Sequence, residues 1–274
     1  MPGLFFLNGD FVSPNKAVTS IFGPGFLYGQ GLFETMRSYN GRIFRSDSHI
    51  ERLINSAPLI DLNLEFDKNY LKDILISSLK KSGLKSAYLR LTVWQGQSKA
   101  NCAVFVEERG FFKREDYEKG FKAIISGFRQ NEFSPLSGIK SSSYLYMLLA
   151  YKEARKKGAD EALLLNTKGF IAEASRANIF LVKDNCLVTP LVSCGCLPGI
   201  TRDTVLDIAR KEKIKTFEEE VTPEDLARSE EAFLTNSLIE VMPLVIVEGA
   251  AIKKGSPGKI TETILKRYRG LTEK

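Results

Sequence analysis

The sequence predicts an α+β fold on three observations: Asn-Gly turns that close hairpins, helices with apolar residues along one face, and strand-like runs mixed among those helices. Leu4 through Leu7, Asn8-Gly9 and Phe11-Val12 read as an opening hairpin, because Asn-Gly supplies the positive φ angles of a two-residue turn. Asn40-Gly41 repeats the device between the apolar stretch 32–39 and Arg42-Ile43-Phe44. A helix over about 49–57 follows, capped by Asp47 or Ser48 and ended or kinked by Pro58. Asp67 caps another to about Ser82, with Tyr70, Leu71, Ile74, Leu75 and Leu79 on one face. Stretches 87–94 and 102–107 read as strands.

The charged segment around 110–120 and the polar one at 129–138, with Pro135 and Gly138, are the linker candidates. Beyond them, 144–157 reads as a helix ended by Gly158, followed by strands at 161–165, 178–183 and 186–188. A helix over 200–213 comes next. Thr222 then caps a short helix with Pro223 in its first position. Strands at 231–235 and 244–248 precede a final helix over about 258–269, and no internal repeat is visible.

At roughly 150 residues per domain, 274 residues make two domains or one large one. The 43% hydrophobic and 26% charged content excludes disordered, collagen-like and coiled-coil classes. No apolar run approaches the roughly 20 residues of a membrane-spanning helix, and the start lacks the basic-then-apolar pattern of a leader, so it is expected to be mature structure. Four cysteines are too few for a disulfide scaffold, and Cys194-Gly-Cys196 has no second pair at zinc spacing; reduced thiols in the cytoplasm are expected. The net charge of +6 is mild. Its clusters, Arg155-Lys156-Lys157 and 211–215, read as solvated last turns of helices, so neither nucleic acid nor membrane is expected as a partner.

Lys140 is the most suggestive residue, flanked by Ser137-Gly138-Ile139 and Ser141-Ser142-Ser143. A lysine held inside loses its proton more readily and becomes available for Schiff-base chemistry, whereas a surface lysine before a helix does neither. Leu197-Pro198-Gly199-Ile200-Thr201-Arg202 turns a loop into a helix, where free N–H groups suit a phosphate, although Pro-Gly turns are common. The glycine-rich stretch 23–31 lacks the Lys-Ser/Thr of a nucleotide loop and reads as a close-packed turn. His49, the sole histidine, reads as structural, and a histidine-rich metal site is excluded by count.

Read in order, these pieces resemble the class IV pyridoxal-phosphate enzymes (fold type IV): branched-chain aminotransferases, D-amino-acid aminotransferases and aminodeoxychorismate lyases. The resemblance covers nearly the whole chain. It runs through Phe6-Leu7-Asn8-Gly9, Tyr28-Gly29-Gln30-Gly31-Leu32-Phe33-Glu34-Thr35-Met36-Arg37, His49-Ile50-Glu51-Arg52-Leu53 and Gly138-Ile139-Lys140. It continues through the stretches 160–166 and 172–180, then 197–202 and Thr235-Asn236-Ser237. It implies a smaller α+β domain over 1–117, a larger one over 118–274, pyridoxal 5'-phosphate between them, a small-molecule substrate and a homodimer. Lys140 corresponds to the lysine that links covalently to the cofactor and moves the proton. Glu173 corresponds to the carboxylate that keeps the pyridine nitrogen protonated. Arg52, Ile200, Thr201 and Ser237 correspond to phosphate contacts. Tyr144 corresponds to the tyrosine beside the phenolic oxygen, although Lys-Ser-Ser-Ser-Tyr is one residue shorter than the branched-chain pattern.

Within the family, the stretches 33–37 and 233–238 resemble the lyases, whereas Tyr88-Leu89-Arg90 resembles the carboxylate-binding strand of branched-chain aminotransferases. The expectation is a lyase of folate biosynthesis that converts 4-amino-4-deoxychorismate to 4-aminobenzoate and pyruvate, with Thr35 as proton donor and Arg37 and Arg90 receiving a substrate carboxylate. The alternative is a branched-chain or related amino-acid aminotransferase using 2-oxoglutarate.

Overall fold

The computed structural model describes residues 4–273, and the chain forms two compact units. The first holds the described residues up to Gly110 together with Ile139–Ser143; the second holds Phe111–Gly138 and Tyr144–Thr272.

In the first unit the chain runs β1 (Leu4–Leu7), β2 (Asp10–Val12), α1 (Pro24–Leu27), β3 (Gly31–Tyr39), β4 (Arg42–Ile43), α2 (Ser46–Ser56), α3 (Lys68–Ser82), β5 (Ala87–Gln95) and β6 (Ala100–Glu107). The strands form one antiparallel sheet in the order β2-β1-β6-β5-β3-β4. One face is apolar: Leu32, Met36, Leu89, Leu91, Val93 and Val104 are buried with Ile50 and Leu53 of α2 and Leu71, Leu75 and Leu79 of α3. Strand alternation sends Phe33, Thr35 and Arg37 to the other face, opposite Thr92, Arg90 and Tyr88 in register.

Helix α3 begins where the sequence places it, with the Asp67 carboxylate accepting from the Tyr70 N–H at 2.7 Å. Helix α2 starts earlier than expected, and neither Asp47 nor Ser48 is its cap. The chain reverses out of β4 through Arg45 at φ 54°, so the helix starts at once; Asp47 lies in its first turn and binds Lys72 at 2.9 Å. Pro58 opens a short 3₁₀ turn over Pro58–Ile60. The glycine-rich stretch is close-packed as expected, since a Cβ at Gly25 would lie 2.5 Å from the Trp94 ring.

The second unit runs α4 (Arg114–Lys119), β7 (Phe121–Gln130), α5 (Leu145–Lys156), β8 (Glu161–Asn166), β9 (Ile171–Ala174), β10 (Asn178–Lys183), β11 (Cys186–Pro190), α6 (Ile200–Lys211), β12 (Thr216–Glu219), α7 (Pro223–Arg228), β13 (Glu231–Asn236), β14 (Glu240–Val247), β15 (Ala250–Ala251) and α8 (Lys259–Thr272). Its mixed sheet has the order β12-β11-β10-β13-β14-β7-β8-β9, with β15 on β14. Ile179, Leu181, Leu234, Met242 and Leu244 form the main core, while Met147, Ala150 and Ala154 of α5 pack on Ala162 and Leu164.

Strands β7, β9, β12 and β15 have no counterpart in the sequence reading. Strand β7 lies parallel between β14 and β8, and its register against β8 slips between Ile125 and Arg129, around Ser126-Gly127. That slip breaks the apolar run that would mark a buried parallel strand. Strand β12, Thr-Phe-Glu-Glu, is an edge strand fixed by pairing with β11 and not by apolar content. The charged segment at 110–120 contains α4, where Asp116 accepts from the Lys113 N–H at 2.7 Å. Among the described residues, no helix is long and apolar enough to cross a membrane.

Candidate active site

The first unit contains Thr35, Arg37, Arg52, Arg90 and Lys140. Strand β4 covers only the end of β3, at Ser38 and Tyr39, so the earlier part of that edge is open to another segment. The residues around Lys140 take it: the Phe33 N–H donates to the Lys140 carbonyl at 3.0 Å, Ser142 N–H to Gly31 carbonyl at 2.8 Å, and Ser141 bridges Leu32. Glycine is required at Gly31, where a Cβ would lie 2.9 Å from the Val93 carbonyl oxygen. Lys140 is thereby half-buried, with Nζ 4.6 Å from the centroid of the Phe33 ring.

Arg90 meets the same ring at 3.7 Å, and its Nε–H donates to Thr92 Oγ1 at 3.2 Å. Arg37 lies over Tyr39 at 4.5 Å. Thr35 stands opposite Arg90 in the strand register. This face of the sheet therefore carries two arginines among aromatic rings, a surface suited to a carboxylate attached to an apolar body.

On the opposite face, Glu34 has 0% exposure. Its carboxylate takes Arg52 in a fork, Oε1 from Nε–H at 2.8 Å and Oε2 from Nη2–H at 2.7 Å, while His49 Nδ1 approaches Oε2 at 2.6 Å. An ionised carboxylate only accepts, so Nδ1 carries the proton. Burial alone would raise the Glu34 carboxyl, but Arg52 and His49 hold it down at about 2. Burial lowers His49, against the pull of Glu34, with Arg52 and Lys140 adding to the lowering, so the imidazole is neutral at pH 7. His49 is thus buried and structurally partnered, as expected. Glu34 escaped the sequence reading; its signal was an acid at an inward position of β3, between Leu32 and Met36.

The second unit contains Tyr144, Glu173, Ile200, Thr201 and Ser237. Glu173, on β9, is buried and accepts from the Leu197 N–H at 3.1 Å. The Tyr144 hydroxyl donates to the Ser175 carbonyl at 2.6 Å, and Ser175 Oγ donates to the buried Glu161 at 2.8 Å, which also binds Arg176. Burial, with Glu173 and Glu161 nearby, pushes the Tyr144 hydroxyl far up, so it stays protonated. Tyr146, which the sequence reading passed over, donates to Gln130, whose amide holds the Gly195 carbonyl at 2.7 Å; burial and Glu173 push Tyr146 up to about 12.

Helix α6 starts at Ile200 from an extended Gly199 with no side-chain cap, and Thr201 is buried in its first turn. A Cβ on Gly199 would fall 2.0 Å from Asn178 Oδ1, so the backbone enters the helix unobstructed only because this residue is glycine. Asn178 Nδ2 fixes the Leu197 carbonyl at 2.8 Å, and its register partner Thr235 has a buried hydroxyl with no hydrogen-bond partner among the described residues. Ser237 lies in the turn after β13, which Asn236 shapes by accepting from the Leu238 and Ile239 N–H groups at 2.8 and 2.9 Å.

An uncapped helix start and a buried hydroxyl can donate to a phosphate, and a buried carboxylate can accept from a protonated pyridine nitrogen, so pyridoxal phosphate fits these residues. With the lysine segment on β3, fold and residues define a pyridoxal-phosphate enzyme of fold type IV. The chain belongs to the class IV aminotransferases: the model of that family matches residues 31–247. It is 31% identical to a branched-chain-amino-acid aminotransferase of Pseudomonas aeruginosa, over 97% of this chain and 92% of that protein. Its fold is similar to the branched-chain amino acid aminotransferase of Escherichia coli, with TM-score 0.94, 27% identity, and 98% and 94% of the two chains covered. The branched-chain amino acid aminotransferase of Thermoproteus uzoniensis, solved with norvaline, matches with TM-score 0.90 and 30% identity, over 98% of this chain and 95% of that one.

These findings overturn the lyase expectation. These relatives are branched-chain aminotransferases, matched over 92–95% of their own lengths, and so support the aminotransferase alternative in place of aminodeoxychorismate cleavage and folate biosynthesis. Within the stretches that suggested a lyase, Asn236 makes a turn and Thr35 is a strand residue paired with Arg90. Thr35 as proton donor to a departing ether falls with that reaction.

Proposed function

We propose that this protein transfers the amine of a branched-chain amino acid to 2-oxoglutarate. The observation that carries the reading is the likeness to branched-chain aminotransferases across the full chain, both units included. Pyridoxal phosphate, when bound, supplies the electron sink that makes the Cα–H of an attached amino acid acidic. Lys140 anchors the cofactor, and its amine, once released, takes the Cα proton at Nζ. Glu173, fixed by the Leu197 N–H, keeps the ring nitrogen protonated. The N–H groups of Ile200 and Thr201, the Ser237 hydroxyl and Arg52 receive the phosphate. Tyr144 serves the phenolic oxygen by turning its hydroxyl hydrogen away from the Ser175 carbonyl.

Arg90 and Arg37 receive a substrate carboxylate on the aromatic face, with the distal carboxylate of 2-oxoglutarate at Arg90. A homodimer is part of the proposal. Val18, Ile21, Phe22, Phe26, Leu27 and Tyr28 are all more than half exposed within one short segment, apolar surface of the kind that a second copy would cover. A cytoplasmic location agrees with the sparse, free cysteines.

The test is steady-state kinetics with leucine, isoleucine and valine against other amino acids, each with 2-oxoglutarate. Branched-chain substrates should give the highest kcat/KM, and Arg90→Leu should raise KM for 2-oxoglutarate about tenfold or more, the loss of one charge-assisted contact. Equal efficiency for unrelated amino acids would reject the substrate assignment.

A further inference from the structure

In the first unit an acidic side chain lies where strand alternation should place an apolar one. Glu34 shares its face of β3 with Leu32 and Met36, both buried in the core. A lone carboxylate there would take up a proton and stay neutral. Instead it is ionised by a built arrangement: Arg52 and His49 stand three residues apart on α2, so both reach the same strand position. Ser56 Oγ closes on the Arg52 carbonyl at 2.7 Å and ties down that turn of the helix.

Stability alone does not explain such a cluster, because a buried ion pair is at best weakly stabilising relative to apolar residues of the same volume. Its geometry does something an apolar core would not. Two of the five N–H donors of Arg52 grip the Glu34 carboxylate as a fork, which fixes the orientation of the guanidinium in the folded chain. His49, neutral and donating through Nδ1, holds the second carboxylate oxygen and keeps Glu34 from rotating away. We propose that Glu34 and His49 are positioning residues that pre-orient Arg52 for the cofactor phosphate. The inference rests on the assignment of Arg52 to that phosphate and adds the device that aims it.

The experiment compares apoprotein affinity for pyridoxal 5'-phosphate and for pyridoxal, which lacks the phosphate, by titrating the imine absorbance. Glu34→Gln should weaken pyridoxal phosphate by about tenfold to a hundredfold, the usual cost of losing an orienting partner, and leave pyridoxal within about threefold, close to the precision of such titrations. His49→Leu, which spares the ion pair and serves if Glu34→Gln does not fold, should shift the ratio in the same direction by a smaller factor. General damage to the unit would weaken both ligands alike, and equal weakening in these variants overturns the proposal. Arg52→Leu separates the two layers. If it collapses the ratio while the Glu34 and His49 variants do not, Arg52 meets the phosphate without their help and the positioning claim fails alone. If Arg52→Leu leaves the ratio intact, the phosphate assignment fails and the positioning claim with it.

Discussion

Replacing Glu34 with Gln keeps the size of the side chain and removes its charge, leaving Arg52 and His49 around a neutral amide. The carboxyl sits at about 2 in place of an ordinary 4.5, and at about 1.4 kcal/mol per pH unit this difference is worth about 3 kcal/mol of stability. Breaking one half of a buried ion pair independently leads to about 3–5 kcal/mol. Because the folded value is depressed, the contribution is complete above pH 4.5 and is lost as the pH falls toward 2. His49 acts in the same direction: its lowered folded value means that stability held above pH 6.5 declines as the imidazole is forced to protonate. The sole tryptophan, Trp94, lies on β5 opposite Gly31 of β3, so its fluorescence reports on this unit. Urea unfolding of the apoprotein followed at Trp94 should show Glu34→Gln about 3 kcal/mol less stable than wild type at pH 7, with the gap closing as the pH falls below 4.5. A gap under about 1 kcal/mol at pH 7, the range of an exposed pair, or one that stays constant through the acid range, would refute the reasoning.

Lys140→Ala should abolish turnover and leave no cofactor attached after borohydride reduction, because it removes both the anchor and the proton carrier; labelled cofactor on a different lysine in the wild type, found by peptide mapping, would contradict this. Glu173→Gln should still bind cofactor but slow Cα–H exchange, measured by deuterium wash-in at saturating cofactor, by about a hundredfold or more; an unchanged exchange rate would remove Glu173 from its role. Asp67→Ala should cost about 1 kcal/mol through loss of the α3 cap, and a change near zero in urea unfolding would show that the 2.7 Å contact to Tyr70 contributes little.

Helix α3 was legible because its determinants are local: a capping acid, an apolar face and a closing glycine lie within one segment. The start of α2 was not, since it depends on the left-handed turn at Arg45 that the β4 hairpin imposes. Strand β7 hid behind its own irregular register. In the site, Lys140 stood out only as a lysine between loop and helix, and what holds it is the open half of the β3 edge, which no local pattern announces. The Glu34–His49–Arg52 cluster needed the facing of β3 to be known, because its members are up to 18 residues apart in sequence. Motif order exposed the family, but the stretches used to choose among its members led to the wrong reaction, because residues such as Asn236, which shapes a turn, and Thr35, which pairs with Arg90 in the sheet, do not report the chemistry.

The most direct test of the central claim follows the amine itself. Holoenzyme is given nitrogen-15-labelled leucine and unlabelled 2-oxoglutarate, and the products are read by mass spectrometry. The account predicts labelled glutamate and the keto acid of leucine in equal amounts, with both absent in Lys140→Ala. Label released as ammonia, or retained in leucine while the cofactor is fully bound, would contradict it.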